Sequence, residues 1–172
     1  LPSAQHALLK QLFELKKPVV LLLLNGGAVA IEEEMRAAKD GQALAVVECF
    51  SPGATGSDAI ARSLFGLENR FGRMPYTVYD KGWVNRTKFT QHDLAADEGR
   101  TYRFYRGRKP IFEFGQGLSF SSFSVNVSSG SAACTFPASA KAGCVATVTA
   151  KNVGAVTGDL VVTAFMRFKA VP

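Results

Sequence analysis

The chain has 172 residues, of which 47% are hydrophobic and 20% are charged, a composition typical of a globular protein that buries a core. Its apolar runs fall short of the roughly 18 to 20 residues that a membrane span needs, and the strongest of them, Val19 to Leu24, lies between Pro18 and the Asn25-Gly26-Gly27 turn. The net charge of +6 comes mostly from scattered residues, without a basic helix or a recognisable nucleic-acid fold, so we expect no nucleic-acid partner.

The first 25 residues predict a helix followed by a strand. Apolar residues recur at helical spacing between Leu8 and Leu15, after the start signal Pro2-Ser3, which predicts an amphipathic helix. The run VVLLLLN then has no polar alternation, a pattern typical of a parallel sheet buried on both faces. A helix that leads into such a strand indicates an α/β architecture.

Three consecutive glutamates, Glu32 to Glu34, lie in the next predicted helix, Ala28 to Ala38. Paired carboxylates invite a catalytic interpretation. Neighbours in a helix point in different directions, however, and acids in the first helical turn are favoured by the helix dipole. We therefore interpret these glutamates as structural, and the following ALAVVECF as a second buried strand.

A glycine-rich turn, Ser51 to Asp58, connects that strand to a predicted helix, AIARSLFG, which Gly66 closes. Backbone N–H groups in such a turn can bind an anion. The turn has neither the P-loop pattern nor the full dinucleotide fingerprint, so it is weak evidence for a phosphate site.

The stretch from Tyr76 to Glu98 is polar and irregular and contains Trp83 and His92. We interpret Trp83 as a packing residue, with a sugar-stacking platform as the alternative, and His92 as a surface residue. Two sequons, Asn85-Arg86-Thr87 and Asn126-Val127-Ser128, make Asn85 and Asn126 glycosylation candidates and favour secretion.

The chain changes character between Gly99 and Phe123. Tyr102, Phe104 and Tyr105 alternate with arginines, and the glycines at 115 and 117 predict positive φ angles or a close backbone approach. Because aromatics at this density need a large surface to pack against, we predict that this stretch is the hinge between two domains.

Period-two patterns follow Phe123 and predict strands at 123 to 127, around 145 to 149 and from Leu160 to Phe168. Asn152-Val153-Gly154 and Thr157-Gly158-Asp159 supply turns, so an antiparallel sandwich is expected. Cys134 and Cys144 bracket a short loop and can form a local disulfide in an extracellular protein, with Cys49 as a buried thiol. Three unrelated reduced cysteines remain the alternative.

The motifs GRTYRFY and FEFGQGLSFSSF, from Gly99 to Phe123, resemble the signature of glycoside hydrolase family 3, in particular its β-xylosidase and arabinofuranosidase branch. Pro52-Gly53, Ala59-Ile60-Ala61, Leu64-Phe65-Gly66, Asn69 and Gly72 to Thr77 match a second family motif in order and spacing, and KNVGAVTGDLVV resembles a third. The resemblance implies a partial parallel-sheet α/β sandwich at residues 1–78, an aromatic-rich connector at 79–120, and an incomplete all-β, fibronectin type III-like sandwich at 121–172.

The same resemblance implies a retaining β-glycosidase that needs neither cofactor nor metal. In the family the nucleophile is an Asp of an N-terminal barrel, and the acid/base in this branch is a Glu just before a stretch similar to Leu1 to Gln5. We therefore expect both carboxylates upstream of Leu1, with the barrel part of the same protein and a carbohydrate as partners, and an inactive isolated fragment. Glu48, at the end of a parallel strand, is the substitute candidate for a catalytic carboxylate. The expected compartment is extracellular, or lysosome- or vacuole-like.

Two residues depart from the family pattern. Glu48 stands roughly where the family often has Trp, and Ala54 replaces the usual Gln or Glu after Pro-Gly. These departures leave a second hypothesis open, in which the chain belongs to a catalytically inactive relative that serves as a structural or carbohydrate-binding subunit.

Overall fold

The structure, a computed structural model, describes residues 1–128 and 147–165. Over these residues it contains the elements α1 (Ser3–Glu14), β1 (Val19–Leu23), α2 (Glu32–Lys39), β2 (Leu44–Glu48), α3 (Gly56–Leu64), α4 (Trp83–Arg86), α5 (Thr101–Phe104), β3 (Phe123–Ser128) and β4 (Thr147–Asn152). The chain divides into two compact units: unit 1 comprises Leu1–Ala61 and Gly72–Gly117, and unit 2 comprises Arg62–Phe71 and the residues from Leu118 onwards.

Unit 1 contains the parallel pair that the sequence predicts. β1 and β2 pair in parallel, in a register that runs from Val19 opposite Leu44 to Leu23 opposite Glu48. The prediction that this sheet is buried on both faces is wrong for the described residues, where Leu23 is buried but Val20 is 51% exposed. The described residues give this sheet two strands, and so small a sheet has too few crossover helices to cover both faces.

The helices of unit 1 occur where apolar periodicity predicts them, with shifted boundaries. α1 follows Pro2, and it buries Leu9 but leaves Leu8 56% exposed. α2 begins at Glu32 rather than Ala28, directly after the fully buried Ile31. α3 begins at Gly56 rather than Ala59, at a position where a Cβ atom would lie 2.3 Å from Cβ of Pro52. The close approach of Pro52 therefore requires glycine at the start of α3.

The second half of unit 1 joins two distant stretches of chain. Val78 forms an antiparallel bridge with Phe112, and Met74 N–H donates to the carbonyl of Gln116 at 2.8 Å. Both glycines singled out in the sequence have the expected roles. Gly115 has a φ of +78°, and a Cβ atom on Gly117 would lie 2.9 Å from the carbonyl oxygen of Gly72. The glycines therefore let residues 111–117 pass close to residues 72–78.

Unit 2 contains an antiparallel pair, as predicted. β3 pairs with β4 in a register that runs from Phe123 opposite Asn152 to Ser128 opposite Thr147. The predicted third strand, Leu160 to Phe168, is wrong for its described part, because residues 160–165 form no strand. Val161, Val162 and Phe165 are exposed there, and without a partner strand an apolar alternating pattern does not become sheet. Cys134 and Cys144 lie outside the described residues.

Asn69 connects three segments of unit 2. Its Oδ1 accepts hydrogen bonds from Ser119 Oγ and Phe120 N, both at 3.0 Å, and its Nδ2 donates to Thr157 O at 3.2 Å. The side chain is 5% exposed, and a Cβ atom on Gly158 would lie 2.2 Å from its Nδ2. Asn69 therefore supplies the hydrogen bonds that two backbone groups and one hydroxyl would otherwise make with water.

Candidate functional site

The carboxyl ends of β1 and β2 bring together a small group that we call the edge cluster: Asn25, Glu48, Phe50 and Tyr76. Asn25 Nδ2 lies 3.3 Å from Glu48 Oε2, and rotating the amide to satisfy both of its ends places the nitrogen 2.9 Å from Glu48 Oε1. The backbone N–H of Phe50 donates to Glu48 Oε1 at 3.2 Å. Glu48 therefore accepts hydrogen bonds from the turns that follow both strands.

Burial and charge shift the titration of the neighbours of Glu48. Burial, and then the Glu48 carboxylate, raise the pKa of the Tyr76 phenol, whose buried hydroxyl has no hydrogen-bond partner among the described residues. The same two causes raise the pKa of the half-buried Cys49 thiol, the free cysteine of the described residues. Neither group is activated as a nucleophile, because the shift favours the protonated phenol and thiol.

The edge cluster does not form a hydrolytic carboxylate pair. Retaining hydrolysis needs two carboxyl groups about 5 to 5.5 Å apart. The hydrogen-bond partners of Glu48 are an amide side chain and a backbone N–H. Within residues 1–128 and 147–165, the His, Cys, Asp and Glu side chains also form no group of three that could hold a metal ion. The geometry of the edge cluster indicates a structural role for Glu48.

The three glutamates of α2 each face a hydrogen-bond donor. Glu34, 3% exposed, lies 2.8 Å from His6 Nδ1, and Glu33 lies 3.0 Å from His6 Nε2. Glu32 accepts from the backbone N–H of Lys81 at 2.8 Å, while the Lys81 ammonium hydrogen-bonds Glu33 and lowers the pKa of that carboxyl. These contacts join α1, α2 and the segment before α4, in agreement with a structural interpretation.

Arg86 lies at the centre of a second charged cluster. Its guanidinium binds Asp80 in a bidentate manner, with Nη2 at 2.7 Å from Oδ2 and Nη1 at 3.1 Å from Oδ1, and its Nε lies 2.9 Å from Glu98 Oε1. The hydrogen bonds from Arg86 lower the pKa of Asp80, and the two carboxylates raise that of Arg86. All three side chains are about 70% buried. The bidentate pair therefore contributes more to the stability of the fold than an exposed ion pair would.

Trp83 packs beside this cluster. Its ring stacks on Tyr79 at 4.4 Å between centroids with an interplanar angle of 10°, and the Arg100 guanidinium lies 5.9 Å from its centroid. The indole Nε1 is buried and has no hydrogen-bond partner within residues 1–128 and 147–165. These contacts fit the packing interpretation of Trp83 better than a sugar platform.

Replacing Arg86 by methionine is expected to lower the melting temperature on the order of 5 °C at pH 7. The folded-state pKa of Asp80 lies below its ordinary value of 3.8, so the stabilisation is complete above that value and is lost as the pH falls through the folded-state pKa. The melting temperatures of the variant and the parent should therefore converge below about pH 4 in calorimetric scans from pH 7 to pH 2.

Arg103→Met is the matched control, because the Arg103 guanidinium lies over the Phe104 ring at 5.5 Å and pairs with no carboxylate of the described residues. Its effect on the melting temperature should be smaller and independent of pH. A constant difference between Arg86→Met and the parent across the whole scan would contradict the assigned role of Asp80.

The remaining candidates are exposed side chains. Asn85 is exposed on α4, Asn126 is exposed on β3, and His92 is exposed. Thr87, the third residue of the first sequon, is 7% exposed. Among the described helices, none is long and apolar enough to cross a membrane.

Sequence comparisons match most of this chain to one family. A family profile described as "Glycosyl hydrolase family 3 C-terminal domain" matches residues 1–120. Probable beta-D-xylosidase 7 of Arabidopsis thaliana is 39% identical over 127 residues, covering 72% of this chain and 16% of that protein. Beta-xylosidase/alpha-L-arabinofuranosidase 1 of Medicago sativa subsp. varia is 34% identical over 70% of this chain and 16% of its own length.

A solved structure is similar in fold as well as in sequence. It is that of a GH3 exo-beta-xylosidase in complex with a xylobiose aziridine activity-based probe, and it matches with a TM-score of 0.63 and 29% identity over 72% of this chain. The match covers 16% of that chain. The present chain therefore spans a small part of the length of the proteins that it matches.

Proposed function

This chain belongs to glycoside hydrolase family 3, within its C-terminal domain, and from that premise we propose that it is the C-terminal part of an enzyme that hydrolyses terminal β-linked xylosides. The observation that carries the proposal is the match over residues 1–120, together with the xylosidase names of plant and bacterial relatives that are 32 to 39% identical. The sugar is proposed as a xyloside, with glucosides as the next class to test.

We place both catalytic carboxylates on the part of the protein upstream of Leu1. The reaction would proceed through a glycosyl-enzyme intermediate, in which an Asp attacks the anomeric carbon and a Glu first protonates the leaving oxygen and then activates water. No residue of the edge cluster takes part in these two reaction steps. The role of this chain is to support the barrel that holds the two carboxylates.

Exposed apolar side chains on α1 and β1, and on the residues directly after each of them, support a partner for this part of unit 1. Leu8 is 56%, Leu15 is 63%, Val20 is 51% and Leu24 is 62% exposed. Apolar groups in such number on neighbouring elements are characteristic of an interaction surface. We propose that the barrel part of the same protein covers them.

Glu48→Gln tests the catalytic alternative. In the longer protein that contains the barrel, the variant should retain xylosidase activity within about twofold and lose about 1 kcal/mol of stability, because the amide still accepts one of the two hydrogen bonds. Activity is measured as 4-nitrophenol release from 4-nitrophenyl β-D-xyloside. A general acid/base contributes about 10²- to 10⁴-fold to the rate, so a loss of that size would make Glu48 the catalytic residue.

We propose a domain organisation with an α/β sandwich portion at residues 1–78, a connector at 79–120 and a fibronectin type III-like portion at 121–172. The unit break after Gly117 lies close to the last of these boundaries, whereas residues 62–71 group with unit 2 and residues 79–117 with unit 1. The antiparallel β3–β4 pair begins at Phe123 and fits the first strands of such a sandwich. Limited proteolysis followed by mass spectrometry should cleave at the end of the connector, after Gly117, before either flanking portion is degraded. Cleavage within residues 1–78 first would contradict the assignment.

We further propose an extracellular, or lysosome- or vacuole-like, location. The exposed Asn85 and Asn126, both in sequons, support it. Protein purified from its natural source should lose mass on treatment with an N-glycosidase, and deamidation should mark Asn85 and Asn126. Unmodified peptides covering both sites would contradict the proposal.

The proposal as a whole is tested by mass-spectrometric peptide mapping of native material. Peptides that extend past Leu1 into a barrel with an Asp nucleophile and a Glu acid/base would support the enzyme. A longer protein without those carboxylates would favour the structural or carbohydrate-binding subunit, for which the departures at Glu48 and Ala54 are the observation in the sequence.

A further inference from the structure

We infer that unit 1 carries a binding groove for an acidic sugar unit, a uronate on an oligosaccharide, separate from the edge cluster. The carbohydrate premise of this inference rests on the proposed function. The groove is a half-open cavity of about 290 Å³. The residues of its wall that carry the argument are Tyr102, Tyr105, Arg108, Lys109, Glu113 and Phe114. Small-ligand pockets start at about 300 Å³, so the groove suits one sugar ring rather than a long chain.

One wall of the groove is aromatic. Tyr102 and Phe114 stack with centroids 4.5 Å apart and an interplanar angle of 28°. Tyr102 is 55% exposed, so part of its ring faces solvent. Its ring offers a flat apolar surface against which the C–H face of a sugar can pack, and its hydroxyl lies at the polar edge of that surface.

Two cations lie at the rim of the groove. The arginines upstream of them are already in contact with protein groups: Arg100 donates to the carbonyl of Lys88, Arg106 donates to the carbonyl of Ala95, and Arg103 lies over an aromatic ring. Arg108 and Lys109 are exposed, and neither side chain makes a hydrogen bond or ion pair with the described residues, although the charge of Arg108 helps to lower the pKa of Asp80. A guanidinium beside an ammonium is suited to binding a carboxylate.

The third charged group of the groove selects among anions. Glu113 also lines the groove and is exposed. Its carboxylate repels any anion beside it but accepts hydrogen bonds from hydroxyl groups, so it favours an anion that also carries hydroxyls over a bare anion such as phosphate. The groove thus offers a stacking surface, two cations and a hydrogen-bond acceptor. These features match a ligand with an apolar ring face, one carboxylate and several hydroxyls, which describes a uronate.

The floor of the groove is fixed by packing. A Cβ atom on Gly107 would lie 2.7 Å from the Tyr105 hydroxyl and 2.8 Å from Tyr105 Cε2, so the Tyr105 ring lies directly on the glycine. The edge of Tyr105 also packs on Tyr79, with centroids 4.8 Å apart. Tyr105 therefore holds its position without help from a ligand, and the groove is formed in advance of binding.

Isothermal titration of this chain with glucuronic acid-substituted xylotriose and with unsubstituted xylotriose tests the inference. The acidic oligosaccharide should bind about tenfold more tightly, because the charge-assisted hydrogen bonds are available to it alone. The double variant Arg108→Gln/Lys109→Gln should abolish the difference, and Tyr102→Ala should weaken binding of both sugars. The control Lys88→Gln/Lys151→Gln removes two exposed cations elsewhere and should leave binding unchanged.

Equal affinities for the two oligosaccharides, undiminished binding by the double variant, or full displacement by inorganic phosphate at equal concentration would each overturn the inference. Circular dichroism spectra of the variants establish that they fold. The titration needs no turnover, so its failure leaves xyloside hydrolysis by the longer protein to be decided separately. A protein that binds the acidic sugar but does not hydrolyse a xyloside would retain the groove and refute the proposed activity.

Discussion

Replacing Asn69 by alanine is expected to lower the free energy of unfolding of unit 2 by about 2 to 3 kcal/mol. The change leaves the backbone N–H of Phe120 and the carbonyl of Thr157 without their partners, in a place where the Asn69 side chain is 5% exposed. It also leaves a cavity beside Gly158, which approaches the side-chain amide closely. Chemical denaturation should register the loss, and amide hydrogen exchange should locate it in unit 2.

Asn85→Ala is the matched control, because the Asn85 side chain is exposed and makes no hydrogen bond with the described residues. It should change stability by less than about 0.5 kcal/mol in unglycosylated protein. Asn69→Asp retains the Oδ1 acceptor but loses the donor and buries a charge, so it should not restore the parent's stability. Equal stabilities of Asn69→Ala and Asn85→Ala would contradict the connecting role of Asn69.

Replacing Gly99 by alanine is expected to destabilise unit 1 by about 3 kcal/mol or more. Two costs add at this position. The φ of Gly99 is +73°, which disfavours any side chain, and a Cβ atom would lie 2.0 Å from the carbonyl oxygen of Phe104. Relieving that overlap requires moving the backbone of α5, because the atom that the new Cβ would overlap is a backbone carbonyl oxygen and not the end of a flexible side chain. The measurement is the denaturant midpoint followed by the fluorescence of Trp83.

Gly53→Ala separates the two costs. Gly53 has the same φ of +73°, but its Cβ position has no atom within 4 Å. Only the backbone penalty, about 1 kcal/mol, should therefore appear. If Gly53→Ala and Gly99→Ala had equal effects, the close approach of Phe104 would not be the reason for glycine at position 99.

The sequence predicts the parts of the fold that depend on local pattern. Uninterrupted apolar runs predict β1 and β2, and the parallel pairing is observed from Val19 to Leu23. Pro2 and the leucine spacing predict α1, and the glycines at 115 and 117 supply the positive φ and the close backbone approach that their spacing indicates. In each case the signal lies within a few residues of the structure that it predicts.

Features that depend on distant contacts were not predictable in this way. His6 gives no signal in sequence, yet it contacts Glu34, 28 residues away. Asn69 belongs to a motif, but the partners that explain it are 50 to 88 residues further along the chain. The third predicted strand has the right alternation of apolar residues but no partner strand in the described residues. Its pattern alone was therefore not enough to predict a strand.

The position of the edge cluster could be predicted from the sequence, but the role of Glu48 in it could not. The end of a parallel strand is where ligands bind in α/β sheets, and Glu48 lies there. Its hydrogen-bond donors are Asn25 and the backbone of Phe50. These contacts hold the turns after β1 and β2 in place and do not position a reacting atom. Whether a carboxylate can act as catalyst depends on a second carboxylate at the right distance, and the sequence of one strand does not contain that information.

Hydrolysis of 4-nitrophenyl β-D-xyloside, measured side by side for this chain alone and for the protein in which it is continuous with the barrel, tests the proposed function most directly. We expect release of 4-nitrophenol by the longer protein and none above the buffer rate by the chain alone. Turnover by the chain alone, abolished by Glu48→Gln, would contradict the central claim that its own residues support the hydrolytic centre without forming it.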